Sequence, residues 1–153
     1  MDDLDAADRR LLNELQRDCR QSVAELAEAA HISVPTCQRR LQHLRKARII
    51  EREVAIVDPT RSPKPMTAFI DIRLKEHGED LHLAFEASMN AIAQVTQCYQ
   101  VTGEVDFVVT MNVGSIAEYH QLAMKHFAGD KSVATFRSVF VVKRAKFNPA
   151  IPF

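Results

Sequence analysis

Apolar residues in the first third of the chain recur at helical spacing and predict three helices. Only His31 and Ile32 separate the second predicted helix from the third. Two short helices joined by so tight a turn must cross rather than lie antiparallel, which predicts a helix-turn-helix. The residues that form the apolar stripes of the first and third helices are Leu11, Leu12, Leu15, Cys37, Leu41 and Leu44.

Each predicted helix begins after a residue that can cap it. Asp5 precedes the first helix and Ser33 precedes the third, with Pro35 in a first turn where a missing N–H is harmless. Ser22 and Glu25 have the spacing of a capping box, in which each side chain accepts from the backbone N–H of the other residue. The positions of the caps therefore agree with the apolar stripes.

A β-rich stretch and a proline-rich stretch follow these helices. Residues 49–57 are rich in isoleucine and valine, which predicts a small wing or a linking strand. Residues 58–65 contain three prolines, which interrupt regular pairing and stiffen the chain. We therefore predict a helix-turn-helix domain at residues 1–57, a linker at 58–65 and a second domain at 66–153.

The second domain alternates between strand and helix periodicity. Strands are predicted at residues 66–75, 95–102, 105–113 and 133–142 because apolar residues there follow a period of two or form short apolar runs. The helix between the last two strands opens with Ser115 and Glu118, a second capping box. The order β-α-β-β-α-β is ferredoxin-like, with both helices on one face of an antiparallel sheet. The predicted fold class is α+β, a winged helix-turn-helix followed by this domain.

The last strand has a consequence for assembly. Residues 139–142 are apolar at every position, and Val108 lies beside Phe107 in the third strand. A strand that is apolar on both sides is buried on both sides, yet helices cover only one face of the sheet. A second copy of the domain is the simplest cover for the other face, so we predict a homodimer through the sheets.

Composition is typical of a packed chain, since 46% of residues are hydrophobic and 26% are charged. No apolar run approaches the roughly 20 residues of a membrane helix. The acidic start, Met1 to Asp5, lacks the pattern of a secretory signal. Cys19, Cys37 and Cys98 are widely spaced, which suits reduced thiols in the cytoplasm.

Basic residues are concentrated in one window although the formal net charge is zero. No acidic residue lies between Glu28 and Glu51, and the third predicted helix falls there. The second helix of a helix-turn-helix enters the major groove of DNA, where arginine can pair with guanine and glutamine with adenine. We expect Arg45, Lys46 and Arg48 to contact phosphate or to stay in solvent. The candidate DNA-binding residues are Ser33, Thr36, Gln38, Arg39, Arg40 and His43.

At this point the motifs resemble the Lrp/AsnC (leucine-responsive, or feast/famine) family of prokaryotic transcription regulators. The similarity runs along essentially the whole chain and in matching order. It is carried by Leu4-Asp5-x-x-Asp8-x-x-Leu11-Leu12-x-x-Leu15-Gln16-x-Asp18, Ser22-x-x-Glu25-Leu26-Ala27, Ile32-Ser33, Cys37-x-x-Arg40-Leu41-x-x-Leu44, Ile49-Ile50 and Val101-Thr102-Gly103-Glu104-Val105-Asp106-Phe107.

The resemblance implies a cytoplasmic, nucleoid-associated regulator that binds double-stranded DNA and forms homodimers, often octamers. It also implies an amino-acid effector bound between dimers near the Gly103 turn, with leucine or methionine favoured. In that turn, backbone N–H groups would hold the carboxylate, and Glu104 or Asp106 would hold the ammonium. The alternative is a plain hairpin turn. We expect Thr135 and Val139 to form the wall that the facing subunit contributes. The candidate effector residues are Gln100, Thr102, Gly103, Glu104, Asp106, Thr135 and Val139.

Two positions depart from the family pattern. His31 stands where the family often has glycine, and histidine is among the few other residues that tolerate a positive φ. Residues 129–132 replace a Pro-Gly that commonly precedes the last strand.

Other functions compete with a regulator. An architectural DNA-binding protein without an effector has the same motif. Tetrapyrrole decarboxylases share the architecture, but the segment after Thr102 lacks their histidine and the chain has no tryptophan. Neither His120 and His126 nor His77 and His82 are spaced as metal ligands, and we expect no metal, no cofactor and no catalytic residues.

Overall fold

The computed structural model describes residues 4–76 and 78–153. The chain divides into two compact units, one running to Ile56 and including Lys146–Phe153, the other spanning Val57–Ala145. The predicted second domain extends to residue 153, whereas residues 146–153 pack with the first unit. His77 and the first three residues lie outside the described residues. In the described part of the chain, no helix has the length and apolar character needed to cross a membrane.

The first unit consists of three helices: α1 (Ala6–Arg17), α2 (Val23–Ala29) and α3 (Val34–Lys46). Each begins at the predicted cap. Asp5 accepts from the N–H groups of the first turn, Ser22 forms its capping box, and Ser33 accepts from Thr36. The buried core where the helices meet is formed by Leu11, Leu26, Ala27, Ala30, Cys37 and Leu41.

The turn between α2 and α3 depends on His31. Its φ is 57°, in the left-handed region that a non-glycine residue adopts at a cost. The following N–H, of Ile32, donates to the Ala27 carbonyl at 2.9 Å and closes the turn. The helix-turn-helix prediction is confirmed, with histidine in the strained position.

Helix α3 ends in a second left-handed residue, and the predicted wing is wrong. Arg48 has a φ of 56°, and the N–H groups of Ile49 and Ile50 both donate to the Leu44 carbonyl. Residues 51–58 contain no strand. Val54 and Ile56 are exposed, because the described residues of the first unit form no strand with which they can pair.

The second unit has the predicted ferredoxin-like order. It begins with a 3₁₀ turn, Pro59–Arg61, and its sheet is antiparallel in the order β2-β3-β1-β4. All four strands are one or two residues shorter than predicted. Its elements are β1 (Met66–Leu74), α4 (Glu79–Asn90), β2 (Val95–Gln100), β3 (Phe107–Val113), α5 (Ile116–Ala123), a π turn (Met124–Ala128) and β4 (Val133–Phe140).

Helices α4 and α5 cover one face of the sheet. Alternate residues of β1, from Ala68 to Leu74, are buried on this face together with Phe107 and Val109 of β3. Phe85 of α4 packs on Phe107 with ring centroids 4.8 Å apart. This layer is the core of the unit.

The opposite face of the sheet, here called the open face, is uncovered in the single chain. Phe69 and Val139 are register partners on it and are 40% and 53% exposed, and Tyr99 of β2 is 54% exposed. Val142 lies beyond the end of β4 and does not extend the strand as predicted. Apolar groups of this size are costly to leave in water, which favours a protein cover.

Glu118 ties the linker to the start of α5. Its carboxylate accepts from Lys64 and from the Gly114 N–H at 2.8 Å. The predicted capping box is therefore half formed, because Ser115 accepts from the Glu118 N–H but the carboxylate is used elsewhere. A Cβ on Gly114 would lie 2.9 Å from the Pro63 carbonyl oxygen, so only glycine fits this close approach.

Candidate nucleic-acid interface and ligand cavity

The outer face of α3 carries most of the predicted DNA-binding side chains. Ser33, Gln38, Arg39 and His43 are exposed. Thr36 is half-buried, and its hydroxyl lies 2.8 Å from the Ser33 hydroxyl at the start of the helix. Ser33 accepts from the Thr36 N–H, so the cap and the candidate surface occupy the same turn.

Arg40 does not lie on the outer face, and its predicted placement is wrong. Its guanidinium Nη1 contacts Asp5 at 2.8 Å and Asp8 at 2.9 Å, and only 23% of its side chain is exposed. The hydrogen bond to Asp8 raises the pKa of Arg40 further above its usual value. Arg40 therefore joins α3 to the start of α1.

The rest of the basic window is divided between paired and exposed side chains. Arg45 pairs with Glu53 at 2.8 Å, whereas Lys46 and Arg48 are exposed. Gln42, which the sequence interpretation missed, is exposed one turn after Gln38. The i+4 spacing from Gln38, with Leu41 and Leu44 turned inward, was the signal for it.

This face can perform the chemistry of base recognition. Arg39 can donate two hydrogen bonds to guanine, and the amides of Gln38 and Gln42 can each donate to and accept from adenine. No ion pair found in the described part of the chain engages Arg39. Lys46 and Arg48 add positive charge for phosphate at the far end of the helix.

A cavity of about 580 Å³ opens at the turn between β2 and β3. It holds four of the predicted effector residues, and Gly103 has a φ of 128°, which requires glycine. In the described part of the chain, no hydrogen bond engages the N–H groups of residues 103–105. The lining residues are Asp71, Arg73, Gly103, Glu104, Val105, Asp106, Thr135, Phe136 and Arg137.

Most charges in the cavity are already engaged. Arg137 donates to Asp71 at 2.7 and 3.1 Å, and Asp106 accepts from the Leu74 N–H at 2.7 Å. Arg73 and Glu104 are exposed, and no ion pair formed among the described residues includes either of them. The cavity thus offers one positive and one negative group beside a turn of unused N–H donors.

Three predicted effector residues lie elsewhere. Gln100 is 2.8 Å from His82 Nδ1, on the side of the sheet that faces α4. Val139 is on the open face opposite Phe69, and Thr102 does not line the cavity.

The sequence interpretation also missed three charged residues that line the cavity. Asp71 and Arg73 lie on the open face because of the alternation of β1, and the register pairs Asp71 with Arg137 and Arg73 with Thr135. The alternation was visible in the sequence, but the pairing of β1 with β4 was not.

Two family models match most of the chain. The AsnC-type helix-turn-helix domain matches residues 4–45, and the Lrp/AsnC ligand binding domain matches residues 67–151. The first match covers α1 to α3, and the second covers the sheet, the cavity and the segment that follows β4.

Several known proteins are similar over nearly their whole length. A helix-turn-helix transcriptional regulator of Haemophilus influenzae is 32% identical, covering 99% of this chain and 90% of the relative. The glutamate uptake regulatory protein of Zymomonas mobilis is 30% identical, covering 97% and 90%. A transcriptional regulator of Neisseria meningitidis, solved with L-methionine, has a TM-score of 0.89 at 27% identity and covers 98% of this chain and 97% of its own.

Proposed function

Because the chain belongs to the Lrp/AsnC family of DNA-binding transcriptional regulators, we propose that the outer face of α3 reads its operator and that the cavity at Gly103 senses an amino acid. The observation that carries the first part is the exposed Arg39, which has no ion-pair partner among the described residues, beside Gln38 and Gln42 on the second helix of a helix-turn-helix. Binding alone accounts for this activity, and no catalytic step is part of it. A regulator of this kind acts at the chromosome, so we place it in the cytoplasm with the nucleoid.

The DNA-binding part is tested by titrating the purified protein with promoter fragments from its own genome and with random DNA of equal length. A regulator discriminates its operator by about 10³-fold or more over random DNA at physiological salt. An architectural DNA-binding protein would instead bind both with similar affinity and a steep salt dependence. Equal binding to both fragments would therefore favour the architectural alternative.

The cavity suits an amino acid because its unengaged charges match a zwitterion. The N–H groups of residues 103–105 and the guanidinium of Arg73 would hold the carboxylate, and Glu104 would accept from the ammonium. Asp71 and Arg137 pair with each other, so the lining residues offer no further cation for the side-chain carboxylate of glutamate. The Asp106 carboxylate, which accepts from the Leu74 N–H, would repel such a group. A neutral side chain such as that of leucine or methionine is favoured over that of glutamate, and the L-methionine bound by the Neisseria regulator agrees with this choice.

Isothermal titration with leucine, methionine and glutamate tests the effector proposal. We expect heat from leucine or methionine, little from glutamate, and a loss of at least about tenfold in affinity in Arg73→Gln, since a charge-assisted hydrogen bond is lost. Lys75→Gln is the matched control, because Lys75 is exposed, lies just beyond β1 and does not line this cavity. No heat from any amino acid would contradict an effector role.

We further propose that two chains pair through their open faces and that such dimers assemble into octamers. The exposed Phe69, Tyr99 and Val139 support the first step, because a second copy of the same face would remove them from water. A dimer presents two α3 helices, so its operator would be roughly palindromic.

A further inference from the structure

Residues 146–153, here called the strap, follow the second unit along the chain but pack with the first. They lie against α1. The Gln16 side chain accepts from the Ile151 N–H at 2.7 Å and donates to the Ile151 carbonyl at 2.8 Å. Asn13 donates to the Phe153 carbonyl at 3.1 Å. Three hydrogen bonds thus join the strap backbone to two side chains of one helix.

The spacing of these contacts is regular. Asn13 and Gln16 are three residues apart and lie on the same face of α1, and they reach residues two apart in an extended segment. An amide that bonds both the N–H and the carbonyl of one residue mimics a neighbouring strand, which requires asparagine or glutamine. Pro149 and Pro152 flank the bonded residue and restrict the unfolded strap, so docking loses less entropy.

The strap gives the chain a second crossing between the units. The first crossing is at residues 56 and 57, and the second follows β4, through residues 141–145, into the strap. While the strap is docked, the unit that carries α3 is connected to the second unit by the chain at residues 56 and 57 and also by the strap, through its hydrogen bonds to α1. When it is undocked, only the first connection holds that unit.

We propose that the outer face of α1, at Asn13 and Gln16, is a docking surface for residues 146–153 of the same chain, and that docking restricts the orientations of α3. Two α3 helices held in few orientations fit one separation of DNA half-sites, whereas loosely tethered helices accept several separations. The strap therefore sets how strictly the protein selects half-site spacing. This consequence rests on the proposed function, whereas the docking itself does not.

Hydrogen exchange of the full chain tests the docking directly. We expect the Ile151 amide to be protected in the wild type and to exchange at least about tenfold faster in the double variant N13A/Q16A. Both side chains lie outside the buried core, so the variant should fold. Arg17→Ala, an exposed change that removes only a contact with Glu14, is the matched control and should keep the protection. An unprotected Ile151 amide in the wild type would overturn the proposal.

The consequence for DNA is tested with operators whose half-sites are moved apart by two or five base pairs. We expect the wild type to lose at least about tenfold in affinity on these operators and N13A/Q16A to lose less than about threefold. Equal losses in both proteins would overturn the role of the strap in spacing. A protein that binds no operator would instead contradict the proposed function and leave the exchange result to decide the docking.

The strap must also dock within its own chain. Ile151 protection that rises with protein concentration, in step with the mass measured by light scattering, would show docking on another copy and would overturn the proposal. Protection that stays constant down to concentrations at which the protein dissociates into single chains supports docking within one chain.

Discussion

Neighbouring arginines on α3 have different roles. Arg39 is exposed, whereas Arg40 is held between Asp5 and Asp8 at the start of α1. Acidic residues at a helix N-terminus are stabilised by the helix dipole, and Asp5 and Asp8 are stabilised further by the guanidinium. The backbone N–H of Asp8 and then Arg40 lower the pKa of Asp5. Arg40 thus fixes the angle at which α3 meets α1.

Alanine at each of these positions should separate the two roles. Arg39→Ala should weaken operator binding by about tenfold or more, because a base contact is worth about 1–3 kcal/mol. It should leave the free energy of unfolding unchanged. Arg40→Ala should lower the free energy of unfolding of the first unit by about 1 kcal/mol, a value reduced for the partial exposure of the pair. Chemical denaturation and fluorescence anisotropy measure the two effects. Normal operator affinity in Arg39→Ala would show that another face of the helix contacts DNA.

Glu118 makes the second unit sensitive to acid. Hydrogen bonds from Lys64 and the Gly114 N–H lower the pKa of Glu118 from 4.5 to about 2. A carboxyl with a depressed pKa stabilises the fold above its unfolded value, and this contribution disappears as the pH falls through the folded value. The advantage of the wild type over Glu118→Gln in urea unfolding should be full above pH 4.5 and should vanish near pH 2. Parallel stability profiles over that range would contradict this assignment.

Residue patterns predicted local features well and distant contacts poorly. The caps at Asp5, Ser22 and Ser33 depend on neighbours in sequence, and all three are confirmed. Arg40 was placed on the wrong face because its partners lie on another helix, thirty-two residues away in the case of Asp8. The capping box of Ser115 and Glu118 is only half formed for the same reason, since Lys64, which binds the Glu118 carboxylate, is distant along the chain.

Among the elements, the turn of the helix-turn-helix carries backbone strain. His31 adopts a φ of 57°, and a left-handed conformation costs a residue with a Cβ about 1–2 kcal/mol. Glycine has no such cost, although it loses more entropy on folding. Relieving this strain would therefore stabilise the first unit.

Replacing His31 with glycine should stabilise the first unit by about 0.5–1 kcal/mol. His43→Gly, a change of the same side chain inside α3, should instead destabilise it by about 1 kcal/mol. Thermal unfolding followed by circular dichroism measures both. Equal destabilisation by the two changes would show that the His31 side chain contributes more than its backbone strain costs.

Element type followed from periodicity, but element ends and partners did not. The order β-α-β-β-α-β is confirmed, because apolar alternation and helical stripes are properties of each segment alone. The wing failed because a β-rich sequence forms a strand only where another strand is available, and residues 49–56 find none among the described residues of the first unit.

For the whole molecule, the proposed assembly depends on the open face. Phe69→Asp places a charge opposite Val139 and should convert the proposed dimer to a monomer at micromolar concentration, because a buried unpaired charge is costly. Leu83→Asp, at an apolar residue of α4 that is 55% exposed, is the matched control and should remain at least dimeric. Light scattering gives the masses. A wild type of monomeric mass would contradict pairing through the sheets.

The cavity shows what the sequence could predict at this scale. The turn and the family resemblance predict Gly103, Glu104 and Asp106 for this site and Thr135 for the wall of a facing subunit, whereas the structure brings all four together within one chain. The missed arginines come from β1 and β4, whose adjacency is a property of the sheet order. The strap was missed because its partners on α1 lie at the other end of the sequence.

Gly114 allows the linker to pass close to the start of α5, and other residues do not fit at this position. The Pro63 carbonyl oxygen occupies the space that any side chain at position 114 would need. In a saturation-mutagenesis library, only glycine should be tolerated at position 114. The neighbouring exposed Ser115 should accept other residues that can begin a helix. When the DNA-binding domain is exchanged for another, the junction should therefore lie before Pro63, so that the close approach of Pro63 to Gly114 is kept.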